Sequence, residues 1–111
     1  MRTLNFRRAP HFGERAEERG LSLAGQTVAE ETARNLVGQT VYTRRTYNEV
    51  SRVFRVVDPE TNNVFYVPFR YQNGTVVLVT VITQAQVDEA TRYQNGRVVY
   101  GLVNQNPFVA L

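Results

Sequence analysis

Cysteine, lysine and tryptophan are all absent from this chain, and histidine occurs once. Without cysteine there are no disulfides, no thiolate nucleophile and no cysteine-bound zinc. With His11 as the single imidazole, a multi-histidine metal site is excluded too. No Asp/Glu cluster has a spacing that suggests a carboxylate cage, so no metal or other cofactor is expected. No run of 18 apolar residues occurs, so neither a membrane span nor a membrane partner is expected. The opening Met1-Arg2-Thr3-Leu4-Asn5-Phe6-Arg7-Arg8 has charge but no apolar stretch after it, unlike a secretory signal. The expected location is cytoplasmic.

What the chain does contain is arginine. All 13 of its basic residues are arginine, against 10 acidic ones, for a net charge of +3. Codon usage in a GC-rich genome accounts for such a bias. So does a need for flat, bidentate donors that match phosphate or carboxylate. At 111 residues the chain is read as one domain with a single core, 1–111.

Residues 1–8 alternate loosely and predict an arm or a short edge strand. Pro10 suits the first turn of a helix running to about Arg19, with Gly20 as its stop. Thr27 and Glu30 have capping-box spacing, and Val28, Ala29, Thr32, Ala33, Leu36 and Val37 then form an apolar stripe up to Gly38. Strands are expected over Thr40–Thr46, Ser51–Val57 and Val64–Tyr71, with a turn at 58–63. Pro68 implies an edge or a bulge. Asn73-Gly74 marks a hairpin into Thr75–Thr83, which is nearly all β-branched and reads as one central strand. Thr83 and Gln86 make a further capping box for a helix to about Arg92, followed by a strand at Arg97–Val103 and a tail at 104–111 that packs on its own domain or on a second copy. The class is α+β: two N-terminal helices packed on a four- to five-stranded, mainly antiparallel sheet, with a further helix and strand at the C-terminus.

Residues 70–77 and 92–99 agree at seven of eight positions, Arg-Tyr-Gln-Asn-Gly followed by Thr or Arg and Val-Val. Repeated turn chemistry explains this, and so would two planar Arg-Tyr pairs, Arg70-Tyr71 and Arg92-Tyr93, for bases or a partner protein.

Two groupings could carry chemistry. On a helix, His11, Arg15 and Arg19 fall at i, i+4 and i+8 along one face. A proton carrier beside two fixed cations suits metal-free cleavage of a phosphodiester, with His11 moving the proton and the arginines holding the phosphate. Arg70, Tyr66 or Tyr71, and Thr80 would reach in from the sheet. The plainer reading pairs the arginines with Glu14, Glu17 and Glu18 on the same helix. The second grouping is Arg44, Arg45, Arg52 and Arg55, interleaved with Tyr42, Tyr47 and Phe54. It suits single-stranded nucleic acid, or else a solvated sheet face; on one strand Arg52 and Arg55 point to opposite faces.

The run His11-x-x-x-Arg15-x-x-x-Arg19-Gly20-Leu21-Ser22, a second helix and a strand ending Val-Val-Leu-Val-Thr-Val-Ile-Thr resemble a family of short bacterial and phage proteins with an N-terminal H-x-x-x-R-x-x-x-R-G-[IL]-[ST] signature. That family is grouped with the RelE- and BrnT-like toxins. The resemblance covers about residues 9–83. It implies a barnase-like fold, RNA cleavage without metal, His11, Arg15 and Arg19 as the signature residues, Thr80 in the closing strand, and a cognate antitoxin as partner. The chain departs from the family in having no lysine and in continuing well past Thr83. Two functions are therefore expected: a metal-independent endoribonuclease of toxin type, or a non-enzymatic, phage-encoded binding protein that uses its arginine-rich face to inhibit a host enzyme or hold nucleic acid. A homo-oligomer subunit is a third.

Overall fold

A computed structural model describes residues 3–45, 49–90, 93–94, 97–98 and 101–109. Its centre is an antiparallel meander: β2 (Thr40–Arg45), β3 (Val50–Val57), β4 (Val64–Gln72) and β5 (Thr75–Leu78). The flanks come from distant parts of the chain. β1 (Asn5–Arg8) lies parallel to β5, and β9 (Leu102–Pro107) antiparallel to β2. The order is β1-β5-β4-β3-β2-β9, and β6 (Ile82–Thr83) continues beside β4 to complete a seven-stranded sheet. The α+β class is thus as expected, but the sheet has more strands than the four or five read from the sequence. The segment expected as a tail supplies β9, and Phe108 beyond it is buried. Tyr93–Gln94 (β7) and Arg97–Val98 (β8) form a separate antiparallel pair; Arg92 and the Asn95-Gly96 copy of the turn lie outside the described residues.

Alternation along the strands gives the sheet two different faces. Phe54 and Val56 of β3, Phe65, Val67 and Phe69 of β4, and Val76 and Leu78 of β5 face helices α1 (Phe12–Glu18) and α2 (Leu23–Arg34) and form the main core. α2 buries Gly25, Ala29 and Ala33, at i, i+4 and i+8, so its backbone sits close to the sheet. On the opposite face Val53, Tyr66 and Ile82 pack under Val87 of α3 (Gln84–Ala90), and that cover reaches over only part of the sheet.

Local signals explain most element ends. Asn73 and Gly74 have φ of 51° and 79°, the left-handed pair a two-residue hairpin needs. Thr83 and Gln86 exchange reciprocal hydrogen bonds at the start of α3, 3.0 and 3.2 Å, which is the expected capping box.

Elsewhere the structure differs from the sequence reading. α1 begins after His11 rather than at Pro10. α2 begins four residues before Thr27, capped by Ser22, whose hydroxyl accepts from the Gly25 amide. Thr27 instead donates back to the Leu23 carbonyl. α2 ends at Arg34, before Gly38. The Thr75–Thr83 strand is broken at residues 79–81, where the chain passes Pro68, which has no amide hydrogen to give. The Pro68 carbonyl still accepts from the Val79 amide at 2.9 Å. Pro68 therefore marks a bulge inside the sheet.

Gly25 is the tightest point of the α2–sheet contact. A Cβ there would overlap the Cδ1 methyl of Leu21 and stand 3.0 Å from the Asp58 carboxylate. Gly25→Ala is expected to destabilise the fold by about 1 to 3 kcal/mol, the cost of overpacking, despite alanine's better helix propensity. The check is a lowered denaturant midpoint at unchanged slope.

Candidate functional site

The inward stripe of α1 is Phe12 and Ala16, both fully buried. His11 and Arg15 precede these by one position, so they are rotated about 100° away from the core. His11 has a side chain 74% exposed, with Nδ1 3.2 Å from Glu14 Oε2. Arg15 donates to Glu18 Oε2 at 2.8 Å. Both partners are surface neighbours on the same helix. Arg19 behaves differently. The helix has ended at Glu18, and Gly20 follows with φ 83°. The freed Arg19 side chain turns to the sheet and donates to Thr80 Oγ1 at 3.3 Å and to the Val81 carbonyl. The three signature residues are therefore not brought to one site. Eight residues at a helical rise of 1.5 Å separate His11 from Arg19 by about 12 Å.

The arginines of residues 44–55 divide between the two faces. Arg45 and Arg52 are on the helix side, where Arg52 lies over the Phe108 ring, 5.5 Å from its centroid. Arg44 and Arg55 share the other face. The expected aromatic partners are occupied elsewhere. Tyr66 is buried under α3 and donates to Gln84 Oε1 at 2.8 Å. Tyr71 faces the helices, edge-on to Phe108, and Arg70, its neighbour on β4, points to the opposite face, so the two do not form a planar pair. Tyr42 stands edge-on to Tyr66, and Tyr47 lies outside the described residues.

The register makes a different alignment, on the part of the face that α3 leaves open. Arg44 of β2 is opposite Ser51 of β3, and the β3–β4 register carries the rung to Arg70. Arg70 is opposite Val77, and Val77 opposite Arg7 of β1. One line across five strands thus holds Arg44, Ser51, Arg70, Val77 and Arg7. At about 4.8 Å per strand it is about 19 Å long. Arg7 and Arg70 are exposed, and Arg44 is half-buried.

At the Arg44–Ser51–Arg70 end of this line, these three residues with Glu49, Val79 and Thr80 help to line a groove of about 890 Å³. Burial holds the Arg44 guanidinium below its usual pKa; Glu49 acts the other way, and the nearby charge of Arg19 adds to the lowering. The Arg44 Nε is enclosed and has no hydrogen-bond partner. Of the row, only Arg44 and Arg70 were candidates in the sequence. Arg7 and Ser51 were missed because their place depends on pairing between distant strands.

Among the described residues no group of three His, Asp or Glu could hold a metal ion, and no helix is long and apolar enough to cross a membrane. No protein family, no curated protein and no solved structure matches this chain.

Proposed function

We propose that this chain is a non-enzymatic binding domain that holds the phosphate backbone of single-stranded RNA or DNA across the open part of its sheet. The observation that carries this is the line Arg44–Arg70–Arg7, three cations on alternate strands of one face, two of them exposed and one half-buried. Among the described residues the open part of the face offers no free aromatic ring, so affinity comes from the backbone and is tolerant of sequence. Arg44 is sunk in the groove. A flexible strand can bend a phosphate inward to reach it, whereas a rigid duplex surface cannot.

The test is fluorescence anisotropy with short RNA and DNA oligonucleotides, single-stranded and duplex, at two salt concentrations. Three phosphate contacts at about −0.7 each give a logarithmic salt slope near −2, so raising salt from 50 to 200 mM should weaken binding by roughly tenfold to twentyfold. Binding that ignores salt, or that prefers duplex, would replace this reading. An acidic host protein as partner would appear as no oligonucleotide binding at all.

Toxin-type RNA cleavage requires a proton carrier at the bound phosphate. His11 has Glu14 as its neighbour and stands at the far end of α1 from Arg19. We expect His11→Ala to change oligonucleotide affinity by less than about twofold. Neither protein should cleave RNA in EDTA. Cleavage by the wild type that vanishes in His11→Ala would restore the nuclease reading.

A further inference from the structure

We infer that the groove between Arg44 and Arg70, floored by Ser51, is a discrete site for a phosphate dianion, either a free phosphate compound or the terminal phosphate of a nucleic-acid strand. The inference rests on the backbone-binding reading only in taking phosphate as the anion.

Arg44 and Arg70 stand on the two strands that flank β3, about 10 Å apart at their Cα atoms. Side chains of that length can converge over Ser51, whose hydroxyl lies between them. Thr80 also lines the groove. Arg19, anchored to the Thr80 hydroxyl and the Val81 carbonyl, brings a third cation close by.

Two features separate this groove from an ordinary basic surface. A solvated surface arginine keeps water on every nitrogen, but the Arg44 Nε is shut off from solvent and bonded to nothing. A buried donor left unsatisfied costs free energy, which Arg44 would recover by turning its Nε toward an acceptor in the groove. The local charge is also unbalanced: among the described residues lining the groove Glu49 is the only acidic one, against Arg44 and Arg70 on this face and Arg52, which comes from the helix side. A dianion offsets such an excess more fully than the single charge of a bridging phosphodiester. A flat fork of donors beside hydroxyls matches the several oxygens of a phosphate.

The experiment is isothermal titration with inorganic pyrophosphate at fixed ionic strength, alongside 5′-phosphorylated and 5′-hydroxyl oligonucleotides of one sequence. Wild type and Arg7→Gln should bind pyrophosphate with the same Kd, Arg44→Gln at least tenfold more weakly, and Ser51→Ala about threefold more weakly. Arg44→Lys keeps the charge but lacks the Nε, and should stay weak. A preference of about tenfold for the 5′-phosphorylated strand identifies a strand end as the source of the phosphate. Pyrophosphate binding without that preference identifies a free phosphate compound. If pyrophosphate binds and no oligonucleotide does, the pocket stands and the backbone reading fails. If oligonucleotides bind, but pyrophosphate does not and 5′ ends are indistinguishable, the pocket is overturned while the backbone reading survives. Pyrophosphate binding unchanged in both Arg44 variants would also overturn it.

Discussion

Asp58→Ala is expected to cost about 3 to 5 kcal/mol and lower Tm by more than about 10 °C, the largest loss of stability for a single polar residue among those described. Asp58 is closed to solvent at the start of the β3–β4 turn. Its carboxylate accepts from the Ser22 amide at 2.8 Å, the Ser22 hydroxyl at 2.7 Å and the Glu60 amide at 2.9 Å. Ser22 is in turn the cap of α2, so one carboxylate fixes both a turn of the sheet and the start of the helix packed on it. Truncation removes charged hydrogen bonds worth about 1.5 to 3 kcal/mol each and leaves buried donors unpaired. Asp58→Asn keeps the shape but not the charge and should lose less.

The same residue gives the fold an acid limit. Burial raises the Asp58 pKa, but the bonds from Ser22, Glu60 and Thr61 outweigh it, and the net result lies below the ordinary 3.8. A carboxyl that is more acidic folded than unfolded contributes stability above the unfolded value. That contribution is lost as pH falls through 3.8 toward the lower folded value. Urea midpoints measured from pH 6 to 2.5 should fall steeply in the wild type and more gently in Asp58→Asn. Parallel curves would show that Asp58 is not the titrating group.

The second large effect is on binding. Arg7→Glu with Arg70→Glu should weaken oligonucleotide affinity by about 100-fold at 0.1 M salt and flatten the salt slope by more than 1. Both side chains are exposed, so the melting temperature should move by no more than a degree or two. Arg15→Glu with Arg34→Glu, which makes the same charge change at exposed sites on α1 and α2, is the matched control and should matter little. Equal losses in the double variant and the control would mean that net charge, rather than the line across the sheet, drives binding.

Where the physics is local, the sequence was informative. Asn73-Gly74 sets its own hairpin, Thr83 and Gln86 cap their own helix, and the alternation over Ser51–Val57 places Arg52 and Arg55 on opposite faces, as found. Where a distant partner decides, it misled. Ser22 outcompetes Thr27 as a cap because its hydroxyl is held by Asp58, 36 residues away. The β-branched run at 75–83 breaks because it passes Pro68. His11, Arg15 and Arg19 do share a helical period, but the period that matters to α1 belongs to Phe12 and Ala16. The candidate site was half legible: Arg44 and Arg70 could be picked out, but their alignment with Arg7 could not, since nothing local says that β1 lies beside β5.

The two outer strands of the sheet have a consequence for how this protein matures. The β2–β5 meander closes through short turns, but Asn5 must find Thr75 and Val103 must find Thr43. Such long loop closures are slow. A chain caught with only the meander formed would already carry Arg44 and Arg70, but would still lack Arg7. Tight retention on a nucleic-acid column would then report that folding has finished, and a weakly retained fraction would be the species arrested just before the last edge zips shut.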